Sequence, residues 1–130
     1  LQPVSSFKTY IASIRQVKTE QTVGYGRKGV LNRDSRIAVI PVGYADGLNR
    51  HFSCGVGEVM VKGKRVPIVG NICMDACMVD ITDTDAQLGD EIEIFGKQIP
   101  VTELSDKLNT IPYEVLTSVS QRVKRVYFKE

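Results

Sequence analysis

The chain has 130 residues, 42% of them hydrophobic and 25% charged, with a formal net charge of +2. That length suits one domain, residues 1–130, able to bury roughly two-thirds of its unfolded surface without disulfides or a structural metal. Lys and Arg are scattered rather than concentrated, which argues against a nucleic-acid binder; no apolar run approaches the ~20 residues of a membrane span, and no charged start followed by an apolar stretch marks a signal peptide.

The chain opens with LQPVSS and has no initiator Met, so the expectation is a domain taken from a longer chain. Residues 6–17, SFKTYIASIRQV, carry β-branched and aromatic residues and read as one strand. RIAVIPVGY (36–44) reads as a buried strand whose Pro41 marks an edge or a bulge near its end. GEVMVKGKRVPIVG (57–70) reads as a hairpin turning at KGK, with Gly63 supplying the positive φ. ICMDACMVDI (72–81) is apolar enough for a strand, its second half most clearly, and the polar loop TDTDAQLGD follows. EIEIF (91–95) alternates, and GK then turns into QIPV. After residue 101 the period changes: Thr102 is the expected N-cap of a short helix with Leu104 and Leu108 on one face, and Pro112 suits the first turn of a second. RVKRVYF (122–128) returns to alternation. The sum is a mostly-β fold, a compact β-barrel or sandwich of about six to eight short strands with two short helices near the C-terminus.

The cysteines are Cys54, Cys73 and Cys77, an odd number that fits a reduced, cytosolic protein. On an extended strand Cys73 and Cys77 would lie about 13 Å apart, beyond the ~7 Å that a disulfide spans. With the single His51 they make no convincing zinc site, so buried small hydrophobes is the expected role of all three.

Four stretches are richer in chemistry than a scaffold needs. In VGYG, Tyr25 stands between Gly24 and Gly26. In GYADGLNR, Tyr44 follows an apolar strand and Arg50 lies close by. In VGNICMDACMVD, Asp75 interrupts an apolar run, where a carboxylate needs hydrogen bonds to be buried. IPYEVLTSVSQRV adds Tyr113. Singly, each has a bland reading: a tyrosine that packs its ring and wets its hydroxyl, an aspartate at a strand kink, a loop arginine. Together they place phenol hydroxyls and backbone amides on loops of a rigid β-scaffold, suited to a small anionic ligand shared with another domain.

VGYG, GYADG, PIVGNICMD and IPYEVLTSVSQRV, in that order and spacing, closely resemble the C-terminal domain of the alanine racemases, over about residues 6–127. The resemblance implies a pyridoxal 5'-phosphate enzyme that interconverts L- and D-alanine for peptidoglycan. It implies an N-terminal (β/α)₈ barrel that holds the cofactor on a lysine, and a cytoplasmic head-to-tail homodimer in which each site joins one chain's barrel to the other's β-domain. Tyr25 then matches one of two opposed acid/base groups. Met74 matches the residue whose backbone N–H faces the substrate carboxylate, with Asp75 its acidic neighbour. Tyr44, Arg50 and Ile111 match residues of the substrate entrance, and Tyr113 a tyrosine reaching the cofactor phosphate. Asn71 departs from the arginine that many members carry before ICMD, which alters the charge expected at the entrance and leaves substrate size open.

Three other readings remain. A serine or broad-specificity racemase shares these motifs. A related decarboxylase of basic amino acids, built on the same domains, typically carries CES plus an acidic residue where this chain has CMD. A free-standing β-barrel that binds peptide or RNA calls for aromatics clustered beside a basic groove, whereas aromatics are 7% here and sit mostly at loop junctions.

Overall fold

The computed structural model describes residues 5–18, 22–23, 29–30, 33–119 and 123. The mostly-β expectation holds. Strands β1 (Phe7–Tyr10), β2 (Ser13–Val17), β5 (Ser35–Ile40), β6 (Glu58–Val61), β7 (Lys64–Val69), β8 (Cys77–Asp80) and β9 (Glu91–Phe95) form one seven-stranded sheet in the order β1-β9-β6-β7-β8-β5-β2. All its pairings are antiparallel. Strands β3 (Thr22–Val23) and β4 (Gly29–Val30) make a separate two-stranded ribbon.

The first strand expected from the sequence is in fact two, and the break defines the architecture. β1 and β2 are the two edges of the sheet, yet only Ile11 and Ala12 separate them. The Ile11 N–H donates to Asp90 O at 3.0 Å, on the β9 side, and the Ala12 N–H to Val39 O at 2.8 Å, on the β5 side. A chain that crosses from edge to edge in two residues forces the sheet to curl upon itself. Ile11 is buried at the crossing and looks, in sequence, like any other strand residue.

Inside the curl, the inward positions fill one core: Ala38 and Ile40 of β5, Val59 and Val61 of β6, Val66 and Ile68 of β7, Val79 of β8, and Ile92 and Ile94 of β9. The hairpin expected over 57–70 forms, with Lys62 (φ 51°) and Gly63 (φ 74°) making the two-residue turn that matches strand twist. Pro41 is neither on an edge strand nor in a bulge; β5 ends at Ile40, before it, and lies between β8 and β2. QIPV does not extend a strand. The buried Glu93 carboxylate accepts the N–H groups of Gln98 (2.7 Å) and Ile99 (2.9 Å) and closes the turn there.

Helix α1 (Val101–Lys107) begins two residues earlier than expected: Pro100 is its N-cap, extended at ψ 143°, and Thr102 is already helical and exposed. Leu104 is buried and Leu108 packs at the core margin, as their spacing predicts. Arg65 of β7 bonds Glu103 at 2.6 Å, and Lys107 donates to Val56 O at 2.9 Å, tying α1 to the β6–β7 hairpin. Helix α2 (Pro112–Ser118) starts on Pro112 as expected and packs on α1. The alternating stretch 122–128 lies outside the described residues, apart from Val123 at the edge of the core. No helix among the described residues is long and apolar enough to cross a membrane.

Candidate active site

The run ICMDACMVDI is not a continuous strand. It reverses at Met74–Asp75, where the Cys73 N–H donates to Ala76 O at 2.9 Å, and only then enters β8. Asp75 is therefore not a carboxylate buried in a strand; it is exposed at the tip of a turn. The 13 Å expected between Cys73 and Cys77 fails with the strand that it assumed. Nor are the three cysteines alike: Cys77 is buried, Cys73 half-buried and Cys54 exposed. Burial, with the neighbouring Cys73 as a lesser cause, pushes the Cys77 thiol up to about 12. At pH 8 about one Cys77 in ten thousand is then thiolate, the form that alkylates. In the native protein, iodoacetamide at that pH is expected to label Cys54 first and to leave Cys77 unlabelled until unfolding, as read by peptide mass mapping.

Against this turn lies GYADG. Tyr44 is not at a strand end; it opens a 3-10 turn, Tyr44–Asp46. The Tyr44 N–H donates to Cys73 O at 3.0 Å and the Ala45 N–H to Met74 O at 2.8 Å. Gly43 lies flush on the same peptide: a Cβ there would be 2.2 Å from Cys73 O and 2.5 Å from both the carbon and the oxygen of the Met74 carbonyl. Only glycine allows that approach. The buried Asp46 carboxylate reaches back to the Gly43 N–H at 3.0 Å. Gly47, at φ +113°, meets the end of α2, where an added Cβ would be 2.7 Å from Val119 Cα and 2.8 Å from Ser118 O. The five residues 43–47 thus sit between the Met74 turn and the helix that carries Tyr113.

Asn49 accepts the His51 N–H at 2.8 Å and starts a second 3-10 turn, Arg50–Phe52. From it the Arg50 guanidinium lies 5.8 Å from the centroid of the Tyr44 ring. A cation over an exposed tyrosine face contributes about 0.5–1 kcal/mol, enough to bias where both side chains point. Ser53 Oγ accepts the Ile72 N–H at 2.9 Å, fixing the other flank of the Met74 turn. Asn71, at the foot of that turn, stands 3.7 Å from Cys54 Sγ.

The structure therefore brings Tyr44, Arg50, Met74 and Asp75 together. Tyr113 and Ile111 stand at the first turn of α2, roughly 10 Å along its axis from the contact with Gly47. Tyr44 (44%), Met74 (55%), Ile111 (61%) and Tyr113 (71%) are among the most exposed large side chains of the described residues, so four of the positions singled out in the sequence present apolar surface to solvent. The turn's carbonyls at Cys73 and Met74 are spent on Tyr44 and Ala45, whereas the N–H groups of Met74 and Asp75 have no protein acceptor among the described residues. Adjacent unspent amides at a turn make a donor pair suited to a carboxylate or phosphate. Tyr25 lies outside the described residues; the pairs Thr22↔Val30 and Val23↔Gly29 bracket it in sequence. The sequence reading missed Gly43, Asp46 and Gly47. The paired glycines of GYADG were their only signal.

Comparison with known proteins finds relatives in sequence and in fold. The family model for "Alanine racemase, C-terminal domain" matches residues 4–127. Alanine racemase 2 of Caldanaerobacter subterraneus subsp. tengcongensis is 46% identical over 98% of this chain and 34% of its own. Alanine racemase of Desulfosudis oleivorans is 47% identical, with the same coverage of 98% and 34%. Among solved structures, alanine racemase from Bartonella henselae with covalently bound pyridoxal phosphate superposes at a TM-score of 0.89 with 39% identity, over 95% of this chain and 34% of that one. Alanine racemase of Clostridium difficile 630 in complex with cycloserine gives 0.84 and 38%, over 91% and 32%. The chain spans about a third of the length of the curated relatives it matches.

Proposed function

We propose that this chain, which belongs to the alanine racemase C-terminal domain family, supplies one wall of the active site of an enzyme that interconverts L- and D-alanine. The observation that carries the reading is the Met74–Asp75 turn: two unspent amides beside exposed Tyr44 and Arg50, held by a backbone that leaves no room to vary. In this reading the Met74 N–H receives the substrate carboxylate, Asp75 stands beside it, and Tyr44, Arg50 and Ile111 line the entrance.

Pyridoxal phosphate, when bound, supplies the electron sink that makes the α-proton of an amino acid removable. The residues present fit its periphery. Tyr113, at the start of α2, has a hydroxyl without a protein partner among the described residues, and that hydroxyl is proposed to donate to the cofactor phosphate. The lysine that would hold the cofactor is proposed to lie outside this chain. Among the described residues, Lys8, Lys62, Lys64 and Lys107 are engaged by Glu91, Asp90, Asp83 O and Val56 O. Inversion at Cα takes a proton from one side and returns one to the other, so it needs an acid/base group on each face. Tyr25 is proposed for one face and the cofactor lysine for the other.

The exposure of Tyr44, Met74, Ile111 and Tyr113 supports assembly against other protein surface; the assembly proposed is a cytoplasmic head-to-tail homodimer in which this domain meets a barrel of the same chain and of a partner. The test is the intact protein with pyridoxal phosphate and L-alanine, followed by chiral separation of the product. D-alanine up to equal amounts is expected; none, with cofactor bound, overturns the reading. Tyr113→Phe is expected to weaken cofactor affinity about ten- to a hundredfold and to leave turnover at saturating cofactor close to normal, because a hydrogen bond to a charged group contributes about 1.5–3 kcal/mol. An unchanged cofactor Kd in a fluorescence titration would assign Tyr113 to packing.

A further inference from the structure

We propose that Asp46 is a positioning residue: its buried carboxylate holds GYADG in the one conformation that docks it on the Met74 turn, and so sets where the Met74 N–H and the Tyr44 side chain stand. The proposal rests on the reading of Met74 and Tyr44 as substrate contacts. Asp46 itself touches neither substrate nor cofactor in that reading; it acts through the backbone.

Four observations lead from the carboxylate to the site. Asp46 is 7% exposed, and a carboxylate that deep is tolerated only where donors meet it. One donor is the Gly43 N–H at 3.0 Å, while the Asp46 N–H returns to Gly43 O at 3.0 Å, so the two residues clasp each other across the turn. Gly43 lies so close to Cys73 and Met74 that a Cβ there would fall within 2.5 Å of backbone atoms of both. The next two amides, Tyr44 and Ala45, then fall on Cys73 O and Met74 O. Three consecutive N–H groups, 43 to 45, are thus committed: the first to Asp46, the others to the turn whose Met74 and Asp75 amides face no protein acceptor among the described residues. Without the clasp, the Gly43 amide loses its acceptor at this close approach. The turn can then shift by fractions of an ångström, and hydrogen bonding to a substrate carboxylate is steep in that distance.

The prediction follows from what the Met74 amide would do. A contact to a substrate carboxylate is made equally before and during proton transfer, so loosening it removes uniform binding. In the intact enzyme, Asp46→Ala is expected to raise KM for alanine about tenfold or more and to keep kcat within about threefold. Asp46→Asn keeps an acceptor oxygen of the same reach but a weaker one, and is expected to recover most of the loss, with KM raised about two- to threefold. Amide hydrogen exchange gives a readout independent of activity. The amides of Gly43, Tyr44 and Ala45 are expected to exchange about tenfold faster in Asp46→Ala and severalfold faster in Asp46→Asn, with exchange in β6 and β7 unchanged. If Asp46→Ala does not fold, Asp46→Asn carries both readouts.

Unchanged exchange at 43–45, or kcat falling as far as kcat/KM, overturns the proposal; so does an Asn variant as impaired as the Ala variant, which would assign the role to charge. Should the wild-type protein turn over no alanine, the functional reading fails, and the exchange data still decide whether Asp46 clasps the turn.

Discussion

Alanine in place of Gly43 is expected to lower kcat/KM of the intact enzyme by about a hundredfold, through a single methyl group that no ligand touches. Gly43 has φ −141°, a conformation open to any residue, so backbone strain is not the reason. The reason is room. The added carbon would sit 2.2 Å from Cys73 O and 2.5 Å from the Met74 carbonyl, and all of these are backbone atoms that no rotamer change can move aside. Relief requires the GYADG strip and the Met74 turn to part by about 1 Å, and a substrate misplaced by that much, even through a change away from the reacting atoms, can lose about a hundredfold. The stability effect is smaller, about 1–3 kcal/mol for overpacking. Gly89→Ala is the matching control. Gly89 has open space around its Cα and φ +83°, so alanine there is strained but unobstructed. It is expected to lower stability by about 1 kcal/mol and leave kcat/KM within about twofold. Thermal melting and steady-state kinetics on the two variants separate the effects; full activity in Gly43→Ala would mean that the two motifs can part without consequence.

The difference between those two glycines also marks how far the sequence could be read. The β6–β7 hairpin was legible because its turn is a local matter: Lys62 and Gly63 carry the positive φ values themselves. The β1–β2 break was not. Nothing in FKTYIASIRQV distinguishes Ile11 from its neighbours, because the break exists only where two carbonyls distant in sequence, Asp90 O just before β9 and Val39 O of β5, accept from Ile11 and Ala12. The reversal at Met74–Asp75 was hidden for the same reason. It contains neither glycine nor proline, and besides its own Cys73–Ala76 bond it is held by amides of residues 44 and 45. The early start of α1 is a smaller case, where the extended geometry of Pro100 outweighed the capping preference of Thr102. At the site, the residues with exposed chemistry stood out by type: tyrosines beside glycines, an aspartate in an apolar run. Gly43 and Asp46 act through buried backbone contacts, and a motif names such residues without stating what they press against.

The second large effect concerns the tyrosine between two glycines. Tyr25→Phe, in the intact enzyme, is expected to slow exchange of the α-proton of L-alanine by about 10²–10⁴-fold, the usual contribution of a positioned general acid or base. Exchange from D-alanine, assigned to the cofactor lysine, should survive in part, and cofactor binding should be unaffected. The asymmetry comes from the two-faced geometry of inversion, which no other assignment of Tyr25 would produce. Val23 and Gly29, which flank this stretch in the sequence, pair across the β3–β4 ribbon. Gly24 and Gly26 relieve the Cβ restrictions on either side of the ring, which suits a backbone that must approach a ligand. Chemistry adds a further requirement. A free phenol with pKa about 10 is roughly one part in a thousand ionised at pH 7, and burial alone raises that pKa further. Bringing it to neutrality takes about three units, or about 4 kcal/mol of preferential interaction with the phenolate, so a cation must face it. That cation is proposed to be a His or Arg of the part of the enzyme beyond this chain. Removing it should move the acidic arm of the L-alanine exchange profile to higher pH, because the phenolate then forms only at higher pH, and leave the D-alanine exchange profile in place. Solvent deuterium incorporation, followed separately for each enantiomer by mass spectrometry, reads the outcome. Equal losses from both enantiomers, or none from either, would remove Tyr25 from the L face.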